Sequence, residues 1–250
     1  MSQLVTSKPE MQFVNTNNKI GDREYLMSVA DLTRKRKTGV FSYRWWKAIL
    51  DCIFAVLVVV LTLPLMAMIA IYIRIDSPGC ALYRREQVGE NGRKFTAYKF
   101  RTMYVDNSDY EYKKYLMKYI LEDAPYQRDE DDQPVYKVVD DPRVTKFGDL
   151  LRKTNLDELP QFFNVLKGEM SLVGPRPDIP FAVAMYADKH NKRLEAKPGI
   201  TGLWQVCGRK HLSFKDMVNI DIDYIKKQSF FFDLKIVLLT IRTILKMDGS

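Results

Sequence analysis

The sequence predicts an α/β protein associated with a membrane, built from one long apolar helix, a small β-hairpin and a mainly helical domain with amphipathic helices. Three features of the 250-residue chain predict this class. Residues 52–73 carry no formal charge, an Asn-Gly pair separates two strand-like stretches, and the C-terminal segment is amphipathic. The chain is long enough for one sizeable domain and an appendage, but not for two full domains.

Residues 1–43 form a polar extension that contains the basic run Arg34–Lys37. This extension has no hydrophobic core of a secretory signal, so we expect no cleaved leader. It is either a partly helical tail or a polybasic segment that lies against anionic lipid. The net charge of +8 also indicates an anionic partner, whether nucleic acid, lipid or a phosphorylated substrate.

The cysteine and histidine residues give no sign of a disulfide framework or of a metal-binding motif. The three cysteines are scattered and odd in number, and the two histidines, His190 and His211, lack metal-ligand spacing. We therefore expect a reducing compartment and a chemistry that does not rest on histidine.

The uncharged run of residues 52–73, CIFAVLVVVLTLPLMAMIAIYI, is long enough to span a bilayer. Pro64 near its middle removes a backbone donor to the carbonyl of Val60. Both flanks are rich in Lys and Arg, whereas a spanning helix normally leaves one flank depleted. A helix that bends at Pro64 and returns to the same face satisfies both observations, but spanning helices also tolerate proline. Spanning and re-entry therefore both stay open, and Trp45 and Trp46 suit an interfacial anchor in either case.

The Asn91-Gly92 pair predicts the turn of a β-hairpin whose second strand, FTAYKFRTM, alternates with period two. This alternation places Lys99 and Arg101 on one face of the strand. Residues 108–123 predict a helix. The acidic stretch that follows, QRDEDDQP, predicts a solvated loop, with a substrate-selective lid as the less favoured interpretation.

The C-terminal segment SFFFDLKIVLLTIRTILKM predicts an amphipathic helix. Lys235, Arg242 and Lys246 recur along it and form a basic stripe on an otherwise apolar helix. Such a helix either packs on the protein core or lies in the membrane interface.

The stretch TNLDELPQ, residues 154–161, places Asp157 and Glu158 side by side in a strongly basic chain. A helix that begins near Asp157 tolerates Pro160 in its first turn and can end at Gly168. Carboxylates are favourable at a helix N-terminus, where phosphate groups also bind. From spacing alone, simple N-capping explains the acidic pair better than catalysis does.

The neighbouring motifs change this balance. Arg176 lies between two prolines in SLVGPRPDIP, a predicted short strand and rigid turn, and a guanidinium presented in this way suits a bidentate contact to phosphate. The glycines of KPGITGLWQVCGR allow close backbone approach, with Arg209 at the end of the motif. Arg152 precedes the acidic pair. Together with a membrane segment, these motifs indicate a phosphorylated substrate that is handled at the lipid surface.

The chain resembles the monotopic polyprenyl-phosphate phosphoglycosyl transferases, also called bacterial sugar transferases, in the runs YKFRTM, DPRVTKFGDLLRKTNLDELPQFFNVLKGEMSLVGPRP, KPGITGLWQVCGR and FFFDLKIVLLTI. These runs cover most of residues 44–246 in the family's order and approximate spacing. The resemblance implies a re-entrant membrane helix region at residues 44–80. It also implies a cytosolic catalytic domain at residues 81–250 that ends in an amphipathic interfacial helix, with residues 1–43 as an extension outside the resemblance.

The resemblance further implies an activity, namely transfer of a sugar-1-phosphate from a UDP-sugar to polyprenyl phosphate such as undecaprenyl phosphate, with release of UMP. This reaction would start the assembly of a polysaccharide or glycoconjugate repeat at the cytoplasmic face of the bacterial inner membrane. The implied cofactor is Mg²⁺, held by Glu158 and Asp157.

Site roles follow from the same resemblance. It implies that Asp157 is the nucleophile, that Glu158 is its metal-associated partner and that Pro64 breaks the membrane helix. It implies phosphate-binding roles for Arg152 and Arg176. We also predict that Lys99, Arg101 and Arg209 bind substrate phosphate. We expect the arginine neighbours to lower the pKa of Asp157 and keep it ionised. One departure is that the family often has serine before the helix proline, where this chain has Leu63.

Two other classes of function compete with the enzyme. One is a catalytically inactive membrane scaffold of polysaccharide assembly, against which the intact Asp157, Glu158, Arg152 and Arg176 count. The other is nucleic-acid binding, which lacks a recognition motif and does not explain the apolar run. The expected partners are therefore a UDP-sugar, polyprenyl phosphate and membrane lipids, and not nucleic acid. The sequence leaves open a homo-oligomer and the identity of the sugar.

Overall fold

The computed structural model of the protein describes residues 40–105, 109–136, 138, 141–208 and 211–245. The basic run Arg34–Lys37 lies outside the described residues, as do Arg209 and Lys246. The described chain is mainly helical, and its strands form three two-stranded sheets.

The first element, α1, runs from Val40 to Asp76 as one continuous helix that contains Pro64. By length and composition it could cross a membrane. Because the helix continues through Pro64, the predicted re-entry stays a prediction. The hydroxyl of Thr62 donates to the carbonyl of Val58 at 2.7 Å, and side-chain bonds of this kind favour a bent helix. A hydroxyl therefore stands two residues before Pro64, although Leu63 supplies none.

Both ends of α1 pack against the same folded domain. Near the N-terminal end Lys47 pairs with Asp233, and further along Ala55 shares a buried cluster with Met170. Near the C-terminal end Ile73 shares a second buried cluster with Leu151. Between these clusters, at residues 56–65, every side chain is exposed or only half-buried. The apolar middle of the helix therefore lacks a protein partner over much of its surface.

The predicted β-hairpin is confirmed. Strands β1 (Leu82–Val88) and β2 (Lys94–Phe100) pair antiparallel in a register that sets Leu82 opposite Phe100. The turn between them uses Asn91 at φ 57° and Gly92 at φ 75°, left-handed conformations that asparagine and glycine adopt most readily. This hairpin carries Lys99 into the site described below.

The other described elements follow in chain order. They are α2 (Tyr110–Met117) with a π turn (Lys118–Glu122), β3 (Gln127–Arg128), β4 (Pro134–Val135), α3 (Lys146–Lys153), a 3₁₀ turn (Leu156–Gln161), α4 (Phe162–Leu166), β5 (Ser171–Val173), α5 (Pro180–Val183), α6 (Asp188–Asn191), a 3₁₀ turn (Lys192–Glu195), β6 (Gly199–Thr201), α7 (Leu203–Cys207), α8 (Phe214–Lys227) and α9 (Phe230–Leu245). The helix predicted at residues 108–123 is therefore confirmed. The acidic stretch QRDEDDQP is exposed or half-buried throughout, as a solvated loop requires, and its two ends pair antiparallel as the small β3–β4 hairpin.

Strands β5 and β6 pair in parallel and fix the turn that carries Arg176. The amide of Gly174 donates to the carbonyl of Thr201 at 2.9 Å, and the amide of Gly199 donates to the carbonyl of Pro175 at 2.9 Å. A Cβ on Gly174 would collide with the backbone of residues 197–199, so only glycine permits this approach. A Cβ on Gly199 or on Gly202 would collide with the backbone of Gly174, so the close approach predicted for the glycines of KPGITGLWQVCGR is confirmed at these two positions. The predicted short strand and turn are confirmed as well.

The C-terminal helix α9 packs on the core, one of the two arrangements predicted for it, and its placement in the membrane interface stays a prediction. Phe232 and Ile236 are buried against the domain, whereas Phe231, Leu234 and Leu238 are exposed. One face of α9 therefore packs on the core, and a second apolar face remains open.

Candidate active site

The acidic pair lies in the 3₁₀ turn Leu156–Gln161, which runs directly into α4. Asn155 precedes the turn at φ 55°, and the amide of Glu158 donates to the carbonyl of Asn155 at 3.2 Å. A 3₁₀ turn winds more tightly than an α-helix, which is how two adjacent side chains both become buried. Asp157 is 8% exposed and Glu158 is 9% exposed. The helical segment starts at Leu156, one residue before the predicted start, and no side-chain capping bond marks it, so N-capping does not account for the pair.

Lys99 and Arg176 converge on this turn from two distant segments. The ammonium of Lys99 lies 2.6 Å from Oε1 of Glu158 and 3.9 Å from Oδ2 of Asp157. A terminal guanidinium nitrogen of Arg176 donates to the same Oε1 of Glu158 at 2.8 Å. The side chain of Arg176 is 36% exposed. The site therefore has a buried acidic floor and a partly exposed cation at its edge.

Arg152 is held nearby from α3. Its Nε donates to the hydroxyl of Thr102 at 2.9 Å, just after strand β2. Gly148 allows α3 to approach, because a Cβ there would collide with the backbone of Thr102. Burial lowers the pKa of Arg152, and the charge of Asp157 opposes that shift. Two carboxylates thus face three cations, and the group carries an excess of positive charge that suits an anionic ligand.

The two carboxyl groups differ in acidity. Burial acts to raise the pKa of Glu158, but Arg176 and Lys99 outweigh burial and hold this pKa at about 2. For Asp157, burial and the adjacent charge of Glu158 raise the pKa, against the opposing effect of Lys99. Arg176 and Arg152 act to lower the pKa of Asp157, as expected, but burial outweighs them, so the expected net lowering of this pKa is wrong. The reason is that Glu158, not Asp157, receives the direct hydrogen bonds of the cations.

Arg101 does not join the group around Glu158. Its guanidinium donates to the carbonyl of Ser77 at 2.6 Å, to that of Ile73 at 3.3 Å and to that of Pro78. These carbonyls lie at the C-terminal end of α1, where free backbone acceptors attract a cation. Lys99 and Arg101 lie two residues apart on strand β2 and after it, but Lys99 contacts Glu158 whereas Arg101 binds the end of α1. The predicted phosphate-binding role of Arg101 is therefore not supported by its position. Arg209 lies outside the described residues.

Asn164 supports the site, and the sequence reasoning missed it. It is fully buried, and its Oδ1 accepts from the amide of Tyr98 at 3.1 Å. Its Nδ2 donates to the carbonyl of Thr96 and to Glu169, both at 2.7 Å. These bonds tie α4 to strand β2, and so hold the acidic turn against Lys99. In the sequence, Asn164 is the one polar residue of the apolar run FFNVL, and a polar residue at such a position can indicate a buried hydrogen-bonding role.

The acidic pair offers ligands suited to magnesium. Among the described residues, no group of three His, Cys, Asp or Glu side chains could hold a metal ion. Mg²⁺ is, however, commonly held by one or two carboxylates together with substrate phosphates and water. Lys99 and Arg176 both contact Oε1 of Glu158, which leaves Oε2 and the Asp157 carboxylate as donors. These hard oxygen donors are of the kind that Mg²⁺ binds.

Comparison with known proteins connects this geometry with a family. The chain is 41% identical over 231 residues to a UDP-galactose-lipid carrier transferase of Erwinia amylovora, covering 92% of this chain and 47% of that relative. It is 38% identical over 209 residues to an undecaprenyl-phosphate galactose phosphotransferase of Salmonella typhimurium, covering 84% of this chain and 42% of that relative. The chain thus spans about half the length of these two relatives.

A shorter relative matches over most of its own length. The exopolysaccharide production protein ExoY of Rhizobium meliloti is 36% identical over 200 residues, which covers 80% of this chain and 85% of that relative. The family model for bacterial sugar transferases matches residues 42–247, which include all but the first two residues of α1, the Asp157-Glu158 pair and α9. The protein described here therefore belongs to the bacterial sugar transferase family.

Proposed function

We propose that this protein transfers a sugar-1-phosphate from a UDP-sugar to undecaprenyl or another polyprenyl phosphate and releases UMP. The reaction takes place at the cytoplasmic face of the bacterial inner membrane and starts the assembly of a polysaccharide repeat. The names of the two longer relatives support a lipid-carrier acceptor and a hexose donor. The observation that carries the proposal is the buried Asp157-Glu158 pair together with the three cations near it, Lys99, Arg152 and Arg176. The guanidinium of Arg176 is partly exposed at the edge of the site.

The reaction proceeds in two displacements at one phosphorus atom. In the first, a carboxylate oxygen of Asp157 attacks the β-phosphorus of the UDP-sugar, the bond from that phosphorus to the bridging oxygen breaks, and UMP leaves. The sugar-phosphoryl group is then an ester of Asp157. In the second, an oxygen of polyprenyl phosphate attacks the same phosphorus and regenerates the Asp157 carboxylate. A covalent nucleophile divides one difficult transfer into two easier steps.

The surrounding cations make an approach of carboxylate to diphosphate possible. The side chain of Arg176 is more exposed than that of Lys99 and can turn from Glu158 to a substrate phosphate, which a guanidinium binds through two parallel hydrogen bonds. Lys99 and Arg152 offset the charge that remains. When bound by Glu158 and Asp157, Mg²⁺ would further neutralise the diphosphate.

The packing of α1 supports a helix that enters and leaves the membrane on the same side. The hydroxyl of Ser171 donates to the carboxylate of Asp51 at 2.6 Å near one end of the apolar run, and Ile73 packs beside Leu151 near the other. A straight helix would separate residues 51 and 73 by about 33 Å, close to the hydrocarbon thickness of a bilayer. If α1 spanned the bilayer, its two ends would lie on opposite sides of the hydrocarbon layer, and one folded domain could not contact both of them. The exposed apolar residues 56–65 are then the part that enters the lipid.

We expect both ends of α1 to be accessible only from the cytoplasm. Single cysteines introduced as Arg36→Cys and Arg84→Cys, in a background in which Cys52, Cys80 and Cys207 are serine, should resist a membrane-impermeant maleimide in intact spheroplasts. Both should react after permeabilisation. The matched variant combines Pro64→Leu with Thr62→Val, which restores a backbone donor and removes the bending hydroxyl, and should favour a spanning helix. If the two cysteines label from opposite sides of the membrane in the protein that keeps Pro64 and Thr62, the re-entrant arrangement is refuted.

The apolar face of α9 provides a second contact with the lipid. Phe231 is 79% exposed, and Leu234 and Leu238 lie on the same side of the helix. Lys235 and Arg242 can reach anionic headgroups from its flanks. The two lipid-facing elements would hold the site at the surface where a polyprenyl phosphate is anchored.

Release of UMP separates the enzyme from an inactive scaffold. Purified protein in detergent or nanodiscs is incubated with Mg²⁺, polyprenyl phosphate and each of a series of UDP-hexoses, and UMP is quantified. We expect UMP release with one or a few of the donors, and continued turnover only when polyprenyl phosphate is present. A folded, membrane-bound protein that releases no UMP from any donor would favour the scaffold.

A further inference from the structure

Arg193 is the most deeply buried arginine among the described residues, with 2% of its surface exposed. It lies in the 3₁₀ turn Lys192–Glu195, ahead of the glycine-rich motif. Burying a guanidinium is costly unless its hydrogen-bond donors are satisfied. The partners of Arg193 therefore indicate why an arginine stands at this position.

All five N–H groups of Arg193 have an acceptor within reach. Its Nε and Nη2 lie 3.0 Å and 2.7 Å from Oδ2 of Asp221 in α8. Its Nη1 lies 2.7 Å from Oδ2 of Asp178 and 2.8 Å from the hydroxyl of Tyr186. Its Nη2 also donates to the backbone carbonyl of Arg176 at 3.0 Å. Five contacts match the five donors of a guanidinium.

Two of these contacts fall on the turn that carries the guanidinium of the site. The turn is anchored at its start by Gly174, and at its end the amide of Val88 donates to the carbonyl of Asp178 at 2.8 Å. Arg193 holds the part between, at the carbonyl of Arg176 and the carboxylate of Asp178. The direction in which the Arg176 side chain leaves the backbone therefore depends on Arg193.

We propose that Arg193 is a positioning residue that orients Arg176 toward Glu158 and the substrate phosphate. This inference rests on the proposed function, in which Arg176 binds that phosphate. The contacts of Arg193 are with Asp221, Asp178, Tyr186 and the Arg176 backbone, and not with the acidic pair, so it acts through Arg176. Lysine at this position keeps the positive charge but cannot supply a planar fork to four partners at once.

A double-mutant cycle with Arg193→Lys and Arg176→Lys tests the proposal. The cycle is measured on kcat/KM for UMP release and, independently of turnover, on the affinity for UMP by calorimetry. We expect Arg193→Lys alone to lower kcat/KM by about tenfold to a hundredfold, because a small misplacement of a phosphate-binding group is costly. In the Arg176→Lys background it should cause little further loss of kcat/KM or of UMP affinity, although it lowers the melting temperature in both backgrounds.

Tyr186→Phe is the matched control. It removes one partner of the same guanidinium and a hydrogen bond from the tyrosine hydroxyl to Asp178, but leaves the contacts of Arg193 with Asp178 and with the carbonyl of Arg176 in place. It should lower the melting temperature but change kcat/KM by no more than about twofold. If Arg193→Lys does not fold, Asp178→Asn replaces it in the cycle, because Asp178 is a partly exposed member of the turn. We then expect Asp178→Asn to lower kcat/KM in the wild-type background and to cause little further loss in the Arg176→Lys background.

Two results would overturn the positioning role and leave the proposed function intact. One is that Arg193→Lys lowers kcat/KM by the same factor in the wild-type and the Arg176→Lys backgrounds. The other is that Arg193→Lys leaves kcat/KM unaltered. A wild-type protein that neither releases nor binds UMP would instead overturn the proposed function, and this inference with it.

Discussion

Asp157→Asn is expected to abolish turnover and to leave a folded, membrane-bound protein. An asparagine amide has nearly the shape of the carboxylate but cannot form the phosphoryl ester, so both displacements stop. The fold should tolerate the change because burial raises the pKa of Asp157. A group whose pKa is raised on folding destabilises the folded state when it is ionised, so a neutral amide removes a cost at neutral pH.

Three measurements check this expectation. UMP release should fall to background, and the melting temperature should stay the same or rise. Intact-mass analysis after incubation with UDP-sugar, without lipid acceptor, should show a sugar-phosphate adduct on the wild type only. Asp149→Asn is the control, because Asp149 is an exposed aspartate of α3 paired with Lys153 outside the site, and its activity should match the wild type. An active Asp157→Asn enzyme would exclude the nucleophile role.

Arg176→Lys is expected to lower kcat/KM by about 10²- to 10³-fold, the loss that follows removal of one well-placed donor to transition-state charge. Lysine keeps the charge that faces Glu158 but loses the planar fork that binds phosphate through two bonds. The melting temperature should change little. The Arg176 side chain is partly exposed, and ion pairs of this kind contribute little to stability.

The kinetic assay is run beside a thermal melt and beside Arg128→Lys. Arg128 is an exposed arginine of β3 whose side chain pairs with Asp132, so its replacement should alter neither activity nor stability. If Arg176→Lys unfolds, the residue holds the fold together rather than the substrate. If the variant keeps full activity, phosphate recognition lies elsewhere.

Local patterns in the sequence determined the elements of the fold. The uncharged run predicted α1, Asn91-Gly92 predicted the hairpin turn, and the Gly-Pro-Arg-Pro motif predicted a strand followed by a fixed turn. Each of these signals depends on residues within a few positions of one another, such as an apolar length or a positive φ. The resemblance to a family added the roles of Asp157 and Glu158, which spacing alone explained as capping.

Only the tertiary structure decided which side chains meet. Lys99 and Arg176 reach one oxygen of Glu158 from 59 and 18 residues away, whereas Arg101, two residues from Lys99, binds the end of α1. Arg193 stands in no motif, and its importance appears only where five acceptors surround it.

The tertiary structure also determined the pKa values of the two carboxyl groups. Adjacent residues of equal charge have the same neighbours in the sequence, but Glu158 receives the hydrogen bonds of both cations and Asp157 receives neither. Arg176 and Lys99 therefore lower the pKa of Glu158, whereas burial raises that of Asp157. Burial and hydrogen bonding depend on distances across the folded chain, and no local pattern of residues contains those distances.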